Sequence, residues 1–184
     1  MRVVICGVAG VGKSTVLEIV SKKTHYDIIN YGTLMFEMAK EIHLVEDRDQ
    51  LRKLNVDTQV NLQKKASNAI GRMDNVIIDT HMAIKSPRGY LPGLPEWVLR
   101  ELKISSYFLL EADEKIIESR RNKDGTRRRD EDTVESIREH QQVNRMFALS
   151  YAVFSGATVN FIENPEGKPE IAADNIVKRL VAGE

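Results

Sequence analysis

The chain has 184 residues, 42% of them hydrophobic and 29% charged, with 27 basic side chains balancing 27 acidic ones. That length suits one well-buried domain spanning residues 1–184 and is too short for two ordinary ones, and the composition is that of a globular protein. Neutrality argues against wholesale nucleic-acid binding, and no apolar run approaches the ~20 residues of a membrane span. The lone cysteine, Cys6, excludes an intrachain disulfide and reads as a small buried hydrophobe. With no leader-like segment before the first apolar run, a cytoplasmic setting is expected.

The first element is an apolar strand, Val3-Val4-Ile5-Cys6, and it runs into Gly7-Val8-Ala9-Gly10-Val11-Gly12-Lys13-Ser14, a complete GxxxxGKS loop followed by the helical run Thr15-Val16-Leu17-Glu18-Ile19-Val20. Strand, glycine-rich turn and helix in this order aim several backbone N–H groups and the positive helix end at one point, where a polyphosphate can sit. Gly7, Gly10 and Gly12 let the backbone wrap the anion, with Val8, Ala9 and Val11 completing the loop. Lys13 is expected to reach the β- and γ-phosphates, and the Ser14 hydroxyl to bind the Mg²⁺ that bridges them. Thr15 is a weaker candidate for an α-phosphate contact.

Further strands are predicted at Asp27–Tyr31, Val76–Asp79, Tyr107–Glu111 and Thr158–Ile162, with helical patterns between them. The alternation points to an α/β fold with five parallel strands, and the continuous apolar character of Val76-Ile77-Ile78 and Phe108-Leu109-Leu110 suits strands covered on both faces. Pro95 reads as the first residue of a helix with Trp97, Val98, Leu99 and Leu102 on its inner side, and Asp113 as the cap of the next helix. Asn164-Pro165-Glu166-Gly167-Lys168-Pro169 reads as a surface turn before the last helix.

Three segments interrupt this rhythm, each leaving the carboxyl end of a strand, where open α/β sheets bind ligands. The first is a charged helical excursion over residues 31–72. The second is Asp79 to Pro95, and the third is an arginine-rich segment over 120–132. Asp79 closes a strand where a P-loop protein keeps a carboxylate for Mg²⁺ or its water, although a strand-end Asp also serves as a plain hydrogen-bonding group. His81, two residues on, either contacts a base or phosphate or satisfies backbone groups. In the third segment, Arg120, Arg121, Lys123, Arg127, Arg128 and Arg129 crowd six cations into ten positions. Phosphoryl transfer is catalysed mainly by positioning and charge neutralisation, a task for forked guanidinium donors on a closing lid. Asp124-Gly125-Thr126 supplies flexibility beside Arg127 and Arg129, while Arg120, Arg138 and Arg145 can approach from flanking helices.

No Asn-Lys-x-Asp guanine-reading motif follows the fourth strand, which disfavours a Ras-like switch, and the compact size disfavours an AAA-type motor. A helical excursion after strand two and an arginine lid after strand four imply two nucleotide sites, a donor and an acceptor, as in a nucleoside monophosphate kinase. The alternatives are a kinase of another monophosphate or small metabolite and, from a different class, an ATP-dependent binding module.

The chain resembles the archaeal-type adenylate kinases over nearly its whole length. The resemblance rests on Gly7 to Thr15, Asn30-Tyr31-Gly32-Thr33 with Met35-Phe36, Asp47-Arg48-Asp49 with Arg52-Lys53-Leu54, Ile78-Asp79-Thr80-His81, Gly89 to Pro95, and Thr126 to Arg129. It implies the reaction MgATP + AMP ⇌ MgADP + ADP, a five-stranded parallel sheet and a homotrimer. By the same resemblance Lys13, Ser14 and the loop amides hold ATP, Gly32 and Thr33 begin the AMP site, Arg127 and Arg129 act on the transferring phosphate, and Arg145 points at the phosphates; Arg120, approaching from its flanking helix, is expected as a further ATP contact. The chain departs from the bacterial pattern in having no arginine after Tyr31-Gly32-Thr33, so the AMP phosphate is assigned to Arg52, Lys85 or Arg88. With Cys6 alone, no four-cysteine zinc lid and no structural zinc are expected.

Overall fold

A computed structural model describes residues 1–51, 53–123 and 133–183. In chain order the elements are β1 (Arg2–Cys6), α1 (Lys13–Lys23), β2 (Asp27–Asn30), α2 (Tyr31–Glu41), α3 (Arg48–Leu51), α4 (Val56–Gly71), β3 (Val76–Asp79), β4 (Ala83–Ser86), β5 (Gly89–Pro92), α5 (Glu96–Leu102), β6 (Ser106–Glu111), α6 (Glu114–Lys123), α7 (Val134–Ser155), β7 (Thr158–Glu163) and α8 (Pro169–Val181). Five strands form one parallel sheet in the order β2-β3-β1-β6-β7, as the apolar runs predict. β1 lies at the centre with β3 on one side and β6 on the other, so its carboxyl end opens at the point where the strand order reverses.

The sheet is three-layered because its strand residues alternate between two cores. Val3, Ile5, Ile77, Phe108 and Leu110 face α1 and α8, which contribute Val16, Leu17, Val20, Ala172, Ala173, Ile176 and Leu180. Val4, Cys6, Ile78, Tyr107 and Leu109 face α4, α5 and α7, which contribute Ala66, Ile70, Val98, Leu99, Leu102, Ala148 and Tyr151. A third, satellite cluster of Ala39, Val45 and Leu62 lies within the 31–72 excursion, with Met35, Phe36, Met38, Leu51 and Leu54 packed around it.

Side-chain caps set several helix starts. Asn30 accepts from the Thr33 N–H at 2.9 Å, Asn55 from Thr58 at 2.8 Å, Thr133 from Ser136 at 3.2 Å, and Asp113 from Lys115 at 2.9 Å. Tyr31, expected at the end of a strand, instead begins α2, because Asn30 caps at that point and the Tyr31 hydroxyl reaches the Gln63 carbonyl at 2.9 Å. Pro95 is the N-cap of α5 rather than its first residue. Trp97, expected on the inner side of that helix, is 37% exposed and donates its indole N–H to Gln63 Oε1 at 2.8 Å. Val98, Leu99 and Leu102 alone fill the seven-residue helix's inner stripe, and Trp97 falls at its edge.

The segment after Asp79 holds a hairpin, β4 paired antiparallel with β5. Ser86-Pro87-Arg88-Gly89 carries the residues a tight turn requires, with Pro at the second position and Gly at the fourth. Gly89 sits at φ +111°, and the Ser86 hydroxyl donates to its carbonyl at 2.8 Å. The hairpin packs on α7: the Ala83 N–H donates to Asn144 Oδ1 at 3.2 Å, and His140 Nε2 lies 3.2 Å from the Ala83 carbonyl.

Candidate active site at the carboxyl edge of the sheet

The GxxxxGKS loop joins β1 to α1. Val8 and Val11 anchor it from below, 3% and 0% exposed, while Ala9 is exposed. Gly10 at φ +83° and Gly12 at φ +94° take left-handed conformations that a side chain would strain, which is how the chain reverses within six residues and enters the helix at Lys13. Ser14 and Thr15, in the first turn of α1, are exposed.

Distant elements hold this loop from outside. Arg120 Nη1 donates to the Val11 carbonyl at 3.1 Å, Arg121 Nε to the Ala9 carbonyl at 2.7 Å, and Asn164 Nδ2 to the Val11 carbonyl at 2.7 Å. Arg120 was predicted beside the loop. Arg121 was read only as one of the clustered cations, and Asn164, expected in a surface turn, is instead buried against the loop; no linear signal joins them to it, since 112 and 153 positions separate each from its partner.

Lys13 lies against the Asp79 carboxylate, with the two side chains 17% and 16% exposed. Burial lowers the Lys13 pKa, because a low-dielectric surrounding disfavours its ammonium form. Asp79 Oδ2 accepts in turn from Asn30 Nδ2 at 2.8 Å, and Asn30 Oδ1 accepts from both the N–H and the hydroxyl of Thr33 at 2.9 Å. The Thr33 hydroxyl accepts from the Arg48 guanidinium, which also stands over the Phe36 ring with its centre 6.0 Å away. Lys13, Asp79, Asn30, Thr33 and Arg48 thus form one unbroken polar chain across the carboxyl ends of β1, β3 and β2, with Asn30 opposite Asp79 in the β2–β3 register.

Of the other predicted residues, Gly32 is exposed at the start of α2 and His81 is exposed just past β3. Lys85 Nζ donates to Ser136 Oγ at 2.7 Å, at the foot of α7, and Arg88 lies exposed in the hairpin turn. Among the described cations it is therefore Arg48, and not Lys85 or Arg88, that is bonded to Thr33; only the Asp-Arg-Asp pattern at 47–49 hinted at it. Arg145 makes a forked pair with Glu111, at 2.6 and 2.5 Å, and lies over the Phe161 ring at 4.8 Å. Glu111 ends β6, so the guanidinium stands at the same carboxyl edge, and the carboxylate raises its pKa. Arg138 pairs with Glu114 at 3.5 Å. Arg52, Arg127 and Arg129 lie outside the described residues.

For Mg²⁺ the donor set is one exposed hydroxyl, Ser14, and one carboxylate, Asp79, close to a phosphate-binding loop. This fits an ion that keeps water and substrate oxygens in its shell and takes only one or two protein ligands. Among the described residues no group of three His, Cys, Asp or Glu side chains is gathered to hold a metal.

A family model described as an AAA domain matches residues 6–138. Among full-length relatives, the chain is 64% identical to the adenylate kinase of Thermoplasma acidophilum over 178 residues, covering 97% of each chain. It is 61% identical to that of Thermoplasma volcanium, covering 97% of this chain and 98% of that one, and 47% identical to that of Methanocaldococcus jannaschii, covering 97% of each. In fold it is similar to shikimate kinase from Acinetobacter baumannii, at a TM-score of 0.65 and 13% identity over 100% of this chain and 94% of that one. Shikimate kinase from Aquifex aeolicus gives 0.58 at 18% identity, covering 100% and 98%. The chain therefore carries the AAA-type nucleotide-binding domain and, by its identity to full-length relatives, belongs to the adenylate kinase family.

Proposed function

We propose that the chain catalyses MgATP + AMP ⇌ MgADP + ADP, with ATP on the GxxxxGKS loop and AMP on the 31–72 excursion. The observation that carries this reading is the polar chain from Lys13 to Arg48, which sets a polyphosphate loop and a second cation-bearing site side by side on neighbouring strand ends. In the free protein Asp79 neutralises Lys13. When the β- and γ-phosphates arrive, Lys13 exchanges that carboxylate for phosphate oxygens, and its buried position makes the exchange strong because little water screens it. The loop amides and the N-terminus of α1 add fixed positive potential.

Attack by an AMP phosphate oxygen on the γ-phosphoryl group needs no general base, since that oxygen is already ionised near neutral pH. Catalysis then rests on in-line placement and on charge neutralisation. Gly32, Thr33 and Arg48 lie where the acceptor phosphate would enter, with Arg52, His81, Lys85 and Arg88 as further predicted contacts. Arg127 and Arg129 are assigned to the transferring phosphoryl group, as a lid that also excludes competing water. Arg145, already oriented by Glu111, supports the same charge from α7. Ser14 and Asp79 would hold Mg²⁺, which would supply charge neutralisation at the phosphates.

Among the described residues no helix is long and apolar enough to cross a membrane. For the homotrimer, support beyond the resemblance comes from Ile84 and Leu91, paired across the hairpin and 45% and 52% exposed; light scattering on the purified chain would read three copies, and a monomer at working concentration would refute it.

The test is ADP formation from MgATP with AMP, CMP, UMP, GMP or no acceptor. The proposal expects rapid turnover with AMP. Preference for another monophosphate would reassign the acceptor, and acceptor-independent hydrolysis alone would favour an ATP-dependent binding module.

A further inference from the structure

Asn164 follows the last residue of β7 and is 3% exposed. Its backbone N–H donates to the Glu111 carbonyl at 2.8 Å, continuing the β6–β7 ladder, and this pins the residue at the carboxyl edge of the sheet. Its side chain donates from Nδ2 to the Val11 carbonyl, while Oδ1 is buried without a hydrogen-bond partner among the described residues. A buried amide with an unsatisfied oxygen costs stability that an apolar side chain of similar size would not. Fold stability therefore does not explain an asparagine here, and the use made of its N–H donor does.

That use follows from peptide geometry. Among the described residues no peptide bond is cis, so the Val11 carbonyl and the Gly12 N–H point to opposite sides of one planar unit. Drawing the Val11 oxygen outward turns the Gly12 N–H into the concave side of the loop, toward an incoming phosphate. The approach is close: a Cβ on Gly12 would stand 2.5 Å from Asn164 Nδ2. Arg120 donates to the same oxygen, but it is only half-buried, so water can take over its bond more readily than that of the buried Asn164.

We infer that Asn164 is a positioning residue for ATP: its buried side-chain N–H fixes the peptide between Val11 and Gly12 with the amide facing the phosphates. This rests on the assignment of ATP to the loop made above. It extends the ATP site to the carboxyl end of β7, the strand farthest in sequence from the loop.

The experiment compares ATP and AMP affinities, by calorimetry on the full chain, for Asn164→Ala, which removes the donor, and Asn164→Asp, which keeps the shape and sets an acceptor against the Val11 carbonyl. For both variants the expected result is ATP binding weakened about tenfold, the scale of one lost buried hydrogen bond, with AMP binding held within about twofold. Backbone amide exchange at Gly10 and Gly12 should rise in the same variants while that of α2 and α4 does not. Unchanged ATP affinity in both variants would overturn the inference. So would parallel loss of ATP and AMP binding with a lowered melting temperature, because that marks a merely structural role. If the unsubstituted chain bound AMP but not ATP, the assignment of the loop itself would fail, a result separable from either.

Discussion

The ATP loop and the 31–72 excursion differ in what holds them. The loop is anchored by buried Val8 and Val11, by the two-faced core of β1 and by donors from α6 and from Asn164 just after β7. The excursion has a satellite core whose buried members among the described residues are Ala39, Val45 and Leu62, with α4 also sending Ala66 and Ile70 into the sheet core, and its contacts to the loop side run through the exposed Asn30 and Arg48 and the half-buried Thr33. The difference teaches a division of labour. On the proposed reading, a polyphosphate is met by preset backbone dipoles in a buried frame, and the acceptor by solvent-facing side chains around a small satellite core.

The strongest way to break this comparison is at Lys13. Lys13→Ala should lower turnover about 10³-fold, the upper range for loss of a preorganised charge-stabilising donor, and Arg127→Ala or Arg129→Ala about 10²-fold. Steady-state kinetics with both substrates saturating would check this, and turnover within about threefold of the unsubstituted chain would remove the residue from the mechanism. Next come the two cores. Ile78→Ala in the sheet should cost about 2–5 kcal/mol of global stability in denaturant unfolding. Leu62→Ala should instead raise amide exchange chiefly within residues 31–72 and weaken AMP more than ATP. Equal effects on the two ligands would mean that the excursion is not a separate unit.

Arg48→Ala sharpens the comparison further. It should raise the KM for AMP about tenfold, as expected for a charge-assisted hydrogen bond, and leave the KM for ATP unchanged. The smallest effect concerns pH. Burial pushes the Cys6 thiol up from 9.0 to about 12, so the unfolded chain loses this proton first as pH rises. The stability Cys6 contributes is therefore full below pH 9 and falls away between pH 9 and about 12. Cys6→Ala should flatten that limb of the stability curve, measured by urea midpoints; an identical alkaline slope would contradict it.

The loop was legible in the sequence because it is a local device: glycines, lysine and serine at fixed offsets between a strand and a helix. β1, β3 and β6 were legible because parallel strands buried on both faces read as unbroken apolar runs, whereas the edge strands β2 and β7 are only partly buried and showed as short apolar stretches at the spacing of the α/β alternation. The β4–β5 hairpin was not, since Ile84-Lys85 and Tyr90-Leu91 are short and half polar, although Ser86-Pro87-Arg88-Gly89 spells out its turn. Arg121 and Asn164 meet the loop only through the tertiary fold. Arg48 sits in a charged stretch where nothing in the linear pattern tells a solvated arginine from one folded back on Thr33. Trp97 looked internal because its neighbours are, and a seven-residue helix had room for only three of the four.

The most direct test of two adjacent nucleotide sites is calorimetric titration of AMP into the chain before and after saturation with a non-hydrolysable ATP analogue. The account predicts one AMP per chain in both titrations, with the analogue still bound. Loss of AMP binding in proportion to analogue occupancy would mean a single shared site and would contradict it.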